Sequence, residues 1–380
     1  MVNPRKKIVV LGAGIAGIRI VQDLADRIST RKWQIILVDL ENAHVYRADL
    51  YEVATAFNSR ITEKCLVELK KTVATPIADL IDRKTVKFMQ DEVVGIDSSG
   101  KKVRLKKNGI VKYDFLAVAL GSETNYFEIP GLKKYGLPLK TVENAIKINY
   151  RLNRFFVDLR KNGARKNVNI YVGGGGATGV EVAGELIGFV KKICGKYDYP
   201  IDKVKVVLVE AARFLAGMNE KGTKIILKRL AKLGVKEIVR ETIGDKTRGG
   251  AIAVNSFLQK VDDPCVFAAG DNAWFEMKNG GRLEMLAQAA YQEGALIAKN
   301  ILRMIDGEEM IEFKPTRMHY VVPVGGKFGV WMVDDGRVFS GWWVWLVKRL
   351  IYLKYAMSIM PFRKAVKKWL HSRKVFAGND

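Results

Sequence analysis

The apolar and polar positions at the start of the chain follow a strand, turn, helix, strand order. From Lys7 to Leu11 a β-branched apolar run predicts a strand, and it leads directly into GAGIAG, with Gly12, Gly14 and Gly17. The following IRIVQDLADRI reads as a helix, and WQIILVDL as a second strand ending in Asp39, 22 residues past Gly17. The same order returns later in the chain. NVNIYV predicts a strand running into Gly173, Gly174, Gly175, Gly176, Ala177, Thr178 and Gly179, with the fingerprint glycines at Gly174, Gly176 and Gly179. VEVAGELIGFVKKI then predicts a helix, and KVKVVLVE a strand ending in Glu210.

Each glycine in such a turn has a separate task. The first permits the tight turn, the second lets backbone approach a pyrophosphate, and the third allows close packing of helix on strand. The helix N-terminus then offers unpaired N–H groups and the positive end of its dipole to the phosphates. Asp39 is placed to hold ribose hydroxyls. Glu210 favours the free 2′-hydroxyl of NADH over the 2′-phosphate of NADPH, and Arg213 lies close enough in sequence to weaken that preference. One such motif also fits an ordinary strand-turn-helix connection; two in one chain are far more specific. The expected fold is α/β, with two Rossmann-like dinucleotide-binding domains. An enzyme with two dinucleotides passes a hydride between them, so one is expected to be a tightly held flavin and the other an exchangeable nicotinamide. The N-terminal turn is expected to hold FAD and the second NADH.

The 380 residues suffice for two cored domains, and 48% hydrophobic with 27% charged residues excludes general disorder. Lys and Arg number 64 against 40 acids, a formal charge of +24, which suits nucleic acid, anionic lipid or anionic cofactors. No nucleic-acid recognition motif accompanies the charge, so nucleic acid is the weakest of these partners. Cys65, Cys194 and Cys265 form no CxxC and have no metal-ligand spacing, so neither a disulfide framework nor a metal site is expected. The N-terminus MVNPRKKIVVLGAG runs into a glycine turn rather than a cleavable signal, and a cytoplasmic start is expected.

On these turns the chain resembles the two-dinucleotide-binding flavoproteins, and within them the type II NADH:quinone oxidoreductases. The resemblance extends to HVYRADLYEVAT (44–55), DFLAVALGSETNYFEIPGL (114–132), CVFAAGDNA (265–273) and AQAAYQEG (287–294). It implies an FAD site that includes Ala16, Gly121, Gly270, Asp271, Ala287 and Gln288 beside Gly12, Gly14, Gly17 and Asp39, with Asp271 holding the ribityl chain. It also implies an NADH site of Gly174, Gly176, Thr178, Gly179, Glu181 and Glu210. Read without context, Asp271 could equally be an N-cap or Asx turn. Gln288 and Gln292 correspond to glutamines that line the family's quinone pocket. Spaced four apart, they share a helix face, and an amide can donate to a quinone carbonyl without adding charge; two solvated glutamines would be the default reading of such a pair alone. Glu181 matches a family carboxylate near flavin and nicotinamide, where an apolar neighbourhood would raise its pKa for proton handling, whereas a surface position would leave it unremarkable.

The stretch from Ser340 to Met360 is apolar and aromatic. Leu346, Leu350, Leu353, Met357 and Met360 form a helical stripe, with Lys348 opposite and Arg349 and Lys354 flanking, placed to snorkel. Spanning a bilayer would cost roughly 2.5–3.5 kcal/mol for each of those charges. A helix lying in the interface is expected instead, with Trp342, Trp343, Trp345, Tyr352 and Tyr355 at the headgroups. The next segment sets Phe362, Val366, Trp369 and Leu370 against Arg363, Lys364, Lys367 and Lys368. The alternative is that the first of these helices packs on the body of the protein or in a dimer interface.

The expected domains are an FAD-binding domain of 1–125 and 251–320, an NAD(H)-binding domain of 135–250, and a C-terminal segment of 321–380 with amphipathic membrane-associating helices. After LGVKEIVRE only TIGDKTRGG precedes AIAVNSFLQ, where the family normally runs through several strands, so either the second domain is shortened or a stretch is omitted between about Glu241 and Ala251. The resemblance implies a peripheral enzyme on the cytoplasmic face of the cell membrane, with NADH as donor, a membrane quinone as acceptor, an anionic bilayer and a possible homodimer partner, and no proton pumping. A sulfide:quinone reductase on the same scaffold and a redox-regulated flavoprotein with little turnover are the rivals; the first needs paired reactive cysteines, and Cys265 is expected inside a buried strand.

Overall fold

The computed structural model describes residues 4–57, 62–163, 165–211, 213–239, 250–277, 280–316 and 319–377. Its principal helices are α1 (Ile15–Ala25), α2 (Leu50–Ala54), α3 (Glu63–Val73), α4 (Val142–Lys161), α5 (Ala177–Tyr197), α6 (Glu220–Leu233), α7 (Ala287–Asp306), α8 (Trp342–Ile359) and α9 (Phe362–Phe376). The principal strands are β1 (Lys6–Leu11), β2 (Trp33–Asp39), β3 (Val86–Gln90), β4 (Phe115–Val118), β5 (Val168–Gly173), β6 (Val204–Glu210), β7 (Lys236–Val239), β8 (Asp263–Ala268), β9 (His319–Pro323), β10 (Gly329–Val333) and β11 (Val338–Gly341).

The chain divides into two compact units. One comprises Met1–Tyr46, Ala74–Glu123 and Lys246–Thr316, the other Arg47–Val73, Thr124–Asp245 and Arg317–Asp380. This differs from the division expected from sequence. Residues 47–73, expected with the first glycine turn, and 321–380, expected as a segment apart, both belong to the second unit.

In the first unit five parallel strands stand in the order β8-β4-β1-β2-β3, with Gln259–Lys260 added antiparallel at the β8 edge. Ile8, Val9, Val10 and Leu11 are wholly buried, as a strand covered on both faces requires. The helix after the first turn, α1, lies against α7 so closely that a Cβ on Gly294 would stand 2.7 Å from the Ala16 carbonyl oxygen. Only glycine permits that approach.

The second unit is built on a parallel sheet, β5-β6-β7, with Val168 opposite Val204 and Val207 opposite Lys236. Its core gathers Phe156 of α4, Val180, Leu186 and Ile193 of α5, Leu208 of β6, and Ile226 and Leu230 of α6. The antiparallel sheet β9-β10-β11 contributes Val322, Val330 and Met332 to the same core. Residues 240–249, on which the expected shortening falls, lie outside the described residues.

Helices α8 and α9 belong to this unit for an identifiable physical reason. The last carbonyls of a helix have no partner within it and must find one elsewhere. Here the C-terminal helices supply the partners for α3: Lys368 Nζ donates to the Lys71 carbonyl at 2.7 Å, and Tyr352 Oη and Ser372 Oγ donate to that of Thr72 at 3.1 and 3.2 Å. His371 Nε2 lies 3.3 Å from the Glu68 carbonyl. Burial pulls the Lys368 ammonium down to about 8. The face of α8 turned inward carries Val344, Arg349, Tyr352, Ala356 and Ile359. The stripe expected to meet lipid is the opposite one: Leu350 and Met357 are exposed, and Leu346, Leu353 and Met360 half-buried.

Candidate functional site

The first glycine turn is closed by backbone contacts that only glycine allows. Gly12 has φ +97°, and a Cβ there would lie 2.2 Å from the Ala119 carbonyl oxygen. A Cβ on Gly17 would lie 1.8 Å from the Gly12 carbonyl oxygen. Gly14 is different: its nearest contact would be Ala119 O at 3.9 Å, so the space above it is open. Gly14 is also the N-cap of α1, with no capping side-chain bond and no acid in the first turn, which leaves the helix N–H groups for an anion. Asp39 closes the turn, its Oδ2 accepting from Ala13 N at 2.5 Å and its Oδ1 from Glu41 N at 2.8 Å. His44 Nδ1 pairs with the Ala13 carbonyl at 2.8 Å.

The second turn repeats this geometry in the other unit. Gly174 has φ +101°, a Cβ on Gly179 would lie 1.8 Å from Gly174 O, and nothing lies within 4 Å of a Cβ on Gly176. Gly176 caps α5 with no side-chain bond, and Glu210 Oε2 accepts from Gly175 N at 2.5 Å, as Asp39 does from Ala13. Thr178 is exposed in the first turn of α5. Open cradles at uncapped helix N-termini fit the pyrophosphates of two dinucleotides, one in each unit.

A second feature of the first unit is the short turn at Gly270–Asn272, which follows β8. Gly270 has φ +65°. Ser122 Oγ donates to Asp271 Oδ2 at 2.5 Å, and Gly121 N donates to Asn272 Oδ1 at 2.7 Å. Arg282 donates to the carbonyls of Asp271 and Ala273, each at 3.0 Å. From α7, Glu293 accepts the Gly270 N–H at 2.5 Å. Burial pushes the Glu293 carboxyl up to about 7, against the lowering influence of that N–H and of Arg282. The turn that carries Asp271 is thereby fixed at the end of β8. Glu293, Ser122 and Asn272 were not singled out from sequence, although they sit inside the segments AQAAYQEG, DFLAVALGSETNYFEIPGL and CVFAAGDNA.

On the same helix Ala287 is exposed, and Gln288 and Gln292 are half-buried. Gln292 Oε1 accepts from both the backbone N and the Oγ1 of Thr316 at 2.9 Å. Its carbonyl oxygen is thus committed to Thr316.

In the second unit Glu181 is only 5% exposed and bonds to Lys348 of α8, Nζ to Oε1 at 3.2 Å. Arg349 pairs with Glu52 of α2 at 2.6 Å and lies 5.3 Å from the Trp345 ring centroid. The expectation that Arg349 would snorkel is therefore corrected: buried carboxylates hold both cations inside the unit. Asp49 completes a cluster of three acids and two cations, and burial pushes it up to about 6, opposed by Lys348 and Arg349. Burial likewise pushes Glu181 up to about 7, with Lys348 working against the rise. Burial and the excess of acids over cations both favour the protonated form of these carboxyls. Sequence offered no sign of Asp49 and Glu52 in this role, since their partners are about three hundred residues away.

The cysteines are all free; Cys194 is buried in α5, while Cys265, expected to be buried, is half-exposed in β8. Lys101 Nζ approaches the Cys265 thiol at 3.4 Å.

Comparison with known proteins agrees with this geometry. The family described as pyridine nucleotide-disulphide oxidoreductase matches residues 6–247, which takes in both glycine turns. The chain belongs to that family. Among its curated relatives, the type II NADH:quinone oxidoreductases of Staphylococcus aureus strains MSSA476 and NCTC 8325 / PS 47 are each 30% identical over 411 residues, covering 97% of this chain and 99% of the relative. This pyridine nucleotide-disulphide oxidoreductase is thus a member of the type II NADH:quinone oxidoreductase family. Because the alignment is longer than the chain's 380 residues, those relatives carry residues with no counterpart here. In fold the chain matches the structure of NDH2 from Plasmodium falciparum in complex with NADH, with TM-score 0.80, 15% identity and 98% coverage of each chain. It also matches the sulfide:quinone oxidoreductase of Aquifex aeolicus, with TM-score 0.72, 16% identity, and 91% and 89% coverage.

Proposed function

We propose that this protein is an FAD-dependent NADH:quinone oxidoreductase that works at a membrane surface without pumping protons. The observation that carries the reading is the pair of equivalent glycine turns, one per unit, each open at its second glycine and closed by a carboxylate. FAD, when bound, supplies the ability to accept a hydride and to release its two electrons to a quinone. The chain's own residues do the rest. Gly14 and the α1 N-terminus take the FAD pyrophosphate, Asp39 the ribose and Asp271 the ribityl hydroxyls. Gly174, Gly176, Thr178 and Gly179 take NADH, and Glu210 selects the 2′-hydroxyl. Gln292, anchored by Thr316, presents its amide to a quinone carbonyl together with Gln288. A hydride carries one proton fewer than quinol formation consumes, and Glu181 beside Lys348 is a buried carboxyl able to handle that proton near neutral pH.

Anaerobic stopped-flow absorbance tests the reading. NADH is expected to bleach the flavin band rapidly, and a short-chain quinone to restore it. A flavin that dithionite bleaches and NADH does not would overturn the nicotinamide assignment; bleaching by sulfide would then select the sulfide:quinone reductase.

The membrane assignment is supported by exposed Leu350, Ile351 and Met357 on α8 and Phe362 and Leu370 on α9, beside exposed Arg363, Lys364 and Lys367. Among the described residues no helix is long and apolar enough to cross a membrane. The positive charge suits the cytoplasmic leaflet of the cell membrane, whose lipids are anionic. Removing the chain from Ser340 onward would be a poor test, because it also strips Lys348 and Arg349 from their buried acids. Replacing Phe362 and Leu370 with serine leaves those pairs intact and is expected to weaken co-sedimentation with anionic phospholipid vesicles by about tenfold or more. Unchanged sedimentation would show that α9 does not meet the bilayer.

A further inference from the structure

After β6 the chain doubles back over the second glycine turn. Leu215 N donates to Gly175 O at 2.9 Å, and Leu215 adopts φ +51°, a strained value that such a tight return requires. A Cβ on Gly175 would stand 2.2 Å from the Phe214 ring and 2.9 Å from Glu210 Cβ, so both residues press on the same glycine. Arg213, next to Phe214 and three residues past Glu210, belongs to this segment folded over the turn. Its guanidinium is turned to Glu220, the first residue of α6, at 2.7 Å, and both side chains are largely exposed, at 67% and 71%. The Arg213 guanidinium holds the Glu220 carboxyl below the usual carboxylate range.

An arginine near the ribose is the residue type that accommodates a 2′-phosphate, through charge-assisted and often bidentate bonds. We propose that Glu220 is a specificity-determining residue that holds Arg213 away from the ribose rim, so that the site takes the dinucleotide with a free 2′-hydroxyl and excludes its 2′-phosphorylated counterpart. The proposal rests on the reading of the second turn as a dinucleotide site and deepens it. Glu210 excludes the phosphate by charge repulsion; Glu220 withholds the Arg213 cation, which could offset that repulsion. Because exposed ion pairs contribute little to stability, releasing this one leaves the unit folded. Asn219, whose side chain accepts from Gly222 N at 3.2 Å, remains to cap α6.

The test is calorimetric titration of the FAD-loaded protein with NAD+ and with NADP+. In Glu220→Gln the affinity ratio is expected to shift toward NADP+ by about two- to fivefold, the range open to one surface charge contact. The shift should shrink at high salt and vanish in the double variant Glu220→Gln/Arg213→Ala. In the Glu210→Gln background the same substitution is expected to raise absolute NADP+ affinity further. An unchanged ratio in Glu220→Gln, or a shift that survives loss of Arg213, would overturn the proposal while leaving NAD+ binding in place. Failure of the unaltered protein to bind NAD+ would overturn the dinucleotide reading and this inference with it.

Discussion

Gly14→Val is expected to yield a folded, colourless protein, and Gly17→Val a protein whose first unit does not hold together. The two positions are three residues apart in one turn, yet the space around them differs completely. A Cβ on Gly14 meets nothing closer than 3.9 Å, and its φ of −70° suits any residue, so the added side chain occupies only the cradle intended for phosphate. A Cβ on Gly17 would fall 1.8 Å from the Gly12 carbonyl oxygen, far inside van der Waals contact, and α1 would have to leave β1. Such overpacking of backbone on backbone costs more than about 3 kcal/mol. Flavin absorbance per polypeptide and a circular dichroism melt distinguish the two outcomes. A fully yellow Gly14→Val protein would contradict the assignment of this turn to FAD; a Gly17→Val protein with an unchanged melt would contradict the geometry.

Arg349→Leu is expected to lower the stability of the second unit by about 3–5 kcal/mol, the cost of removing one partner from a buried ion pair. Arg349 is 8% exposed and Glu52 only 2%, so Glu52 cannot recover the lost interaction from water. The double variant Glu52→Leu/Arg349→Leu is expected to regain most of the loss, because two apolar side chains replace two buried charges. Urea unfolding of the single and double variants measures both. Equal losses in the single and double variants would mean that Arg349 acts through its packing on Trp345 and Phe376 rather than through its charge.

Such a contrast between local and distant partners runs through the whole molecule. The glycine turns are legible in sequence because most of their contacts are local: Gly17 touches Gly12, and Asp39 reaches back to Ala13, while Ala119 closes on Gly12 from the end of a distant strand. The parallel strands are legible because burial on both faces leaves unbroken apolar runs such as Ile8 to Leu11. Helix α8 misleads for the opposite reason. It is apolar on several faces, so its periodicity singled out the outward stripe of Leu350 and Met357, while the inward stripe contains Arg349 and lies beside Lys348.

The sequence by itself determined that two dinucleotide turns exist, which strands and helices flank them, and which acids end the strands beside them, since all of this follows from neighbours in the chain. Only the tertiary structure decided that Lys348 and Arg349 lie inside, that Glu181 and Asp49 hold their protons more tightly than exposed carboxyls do, and that residues 47–73 join the second unit. A charge can be buried only where its opposite is also buried. Those opposites, Glu52 and Glu181, come from helices 297 and 167 residues away in the chain, beyond the reach of any local pattern.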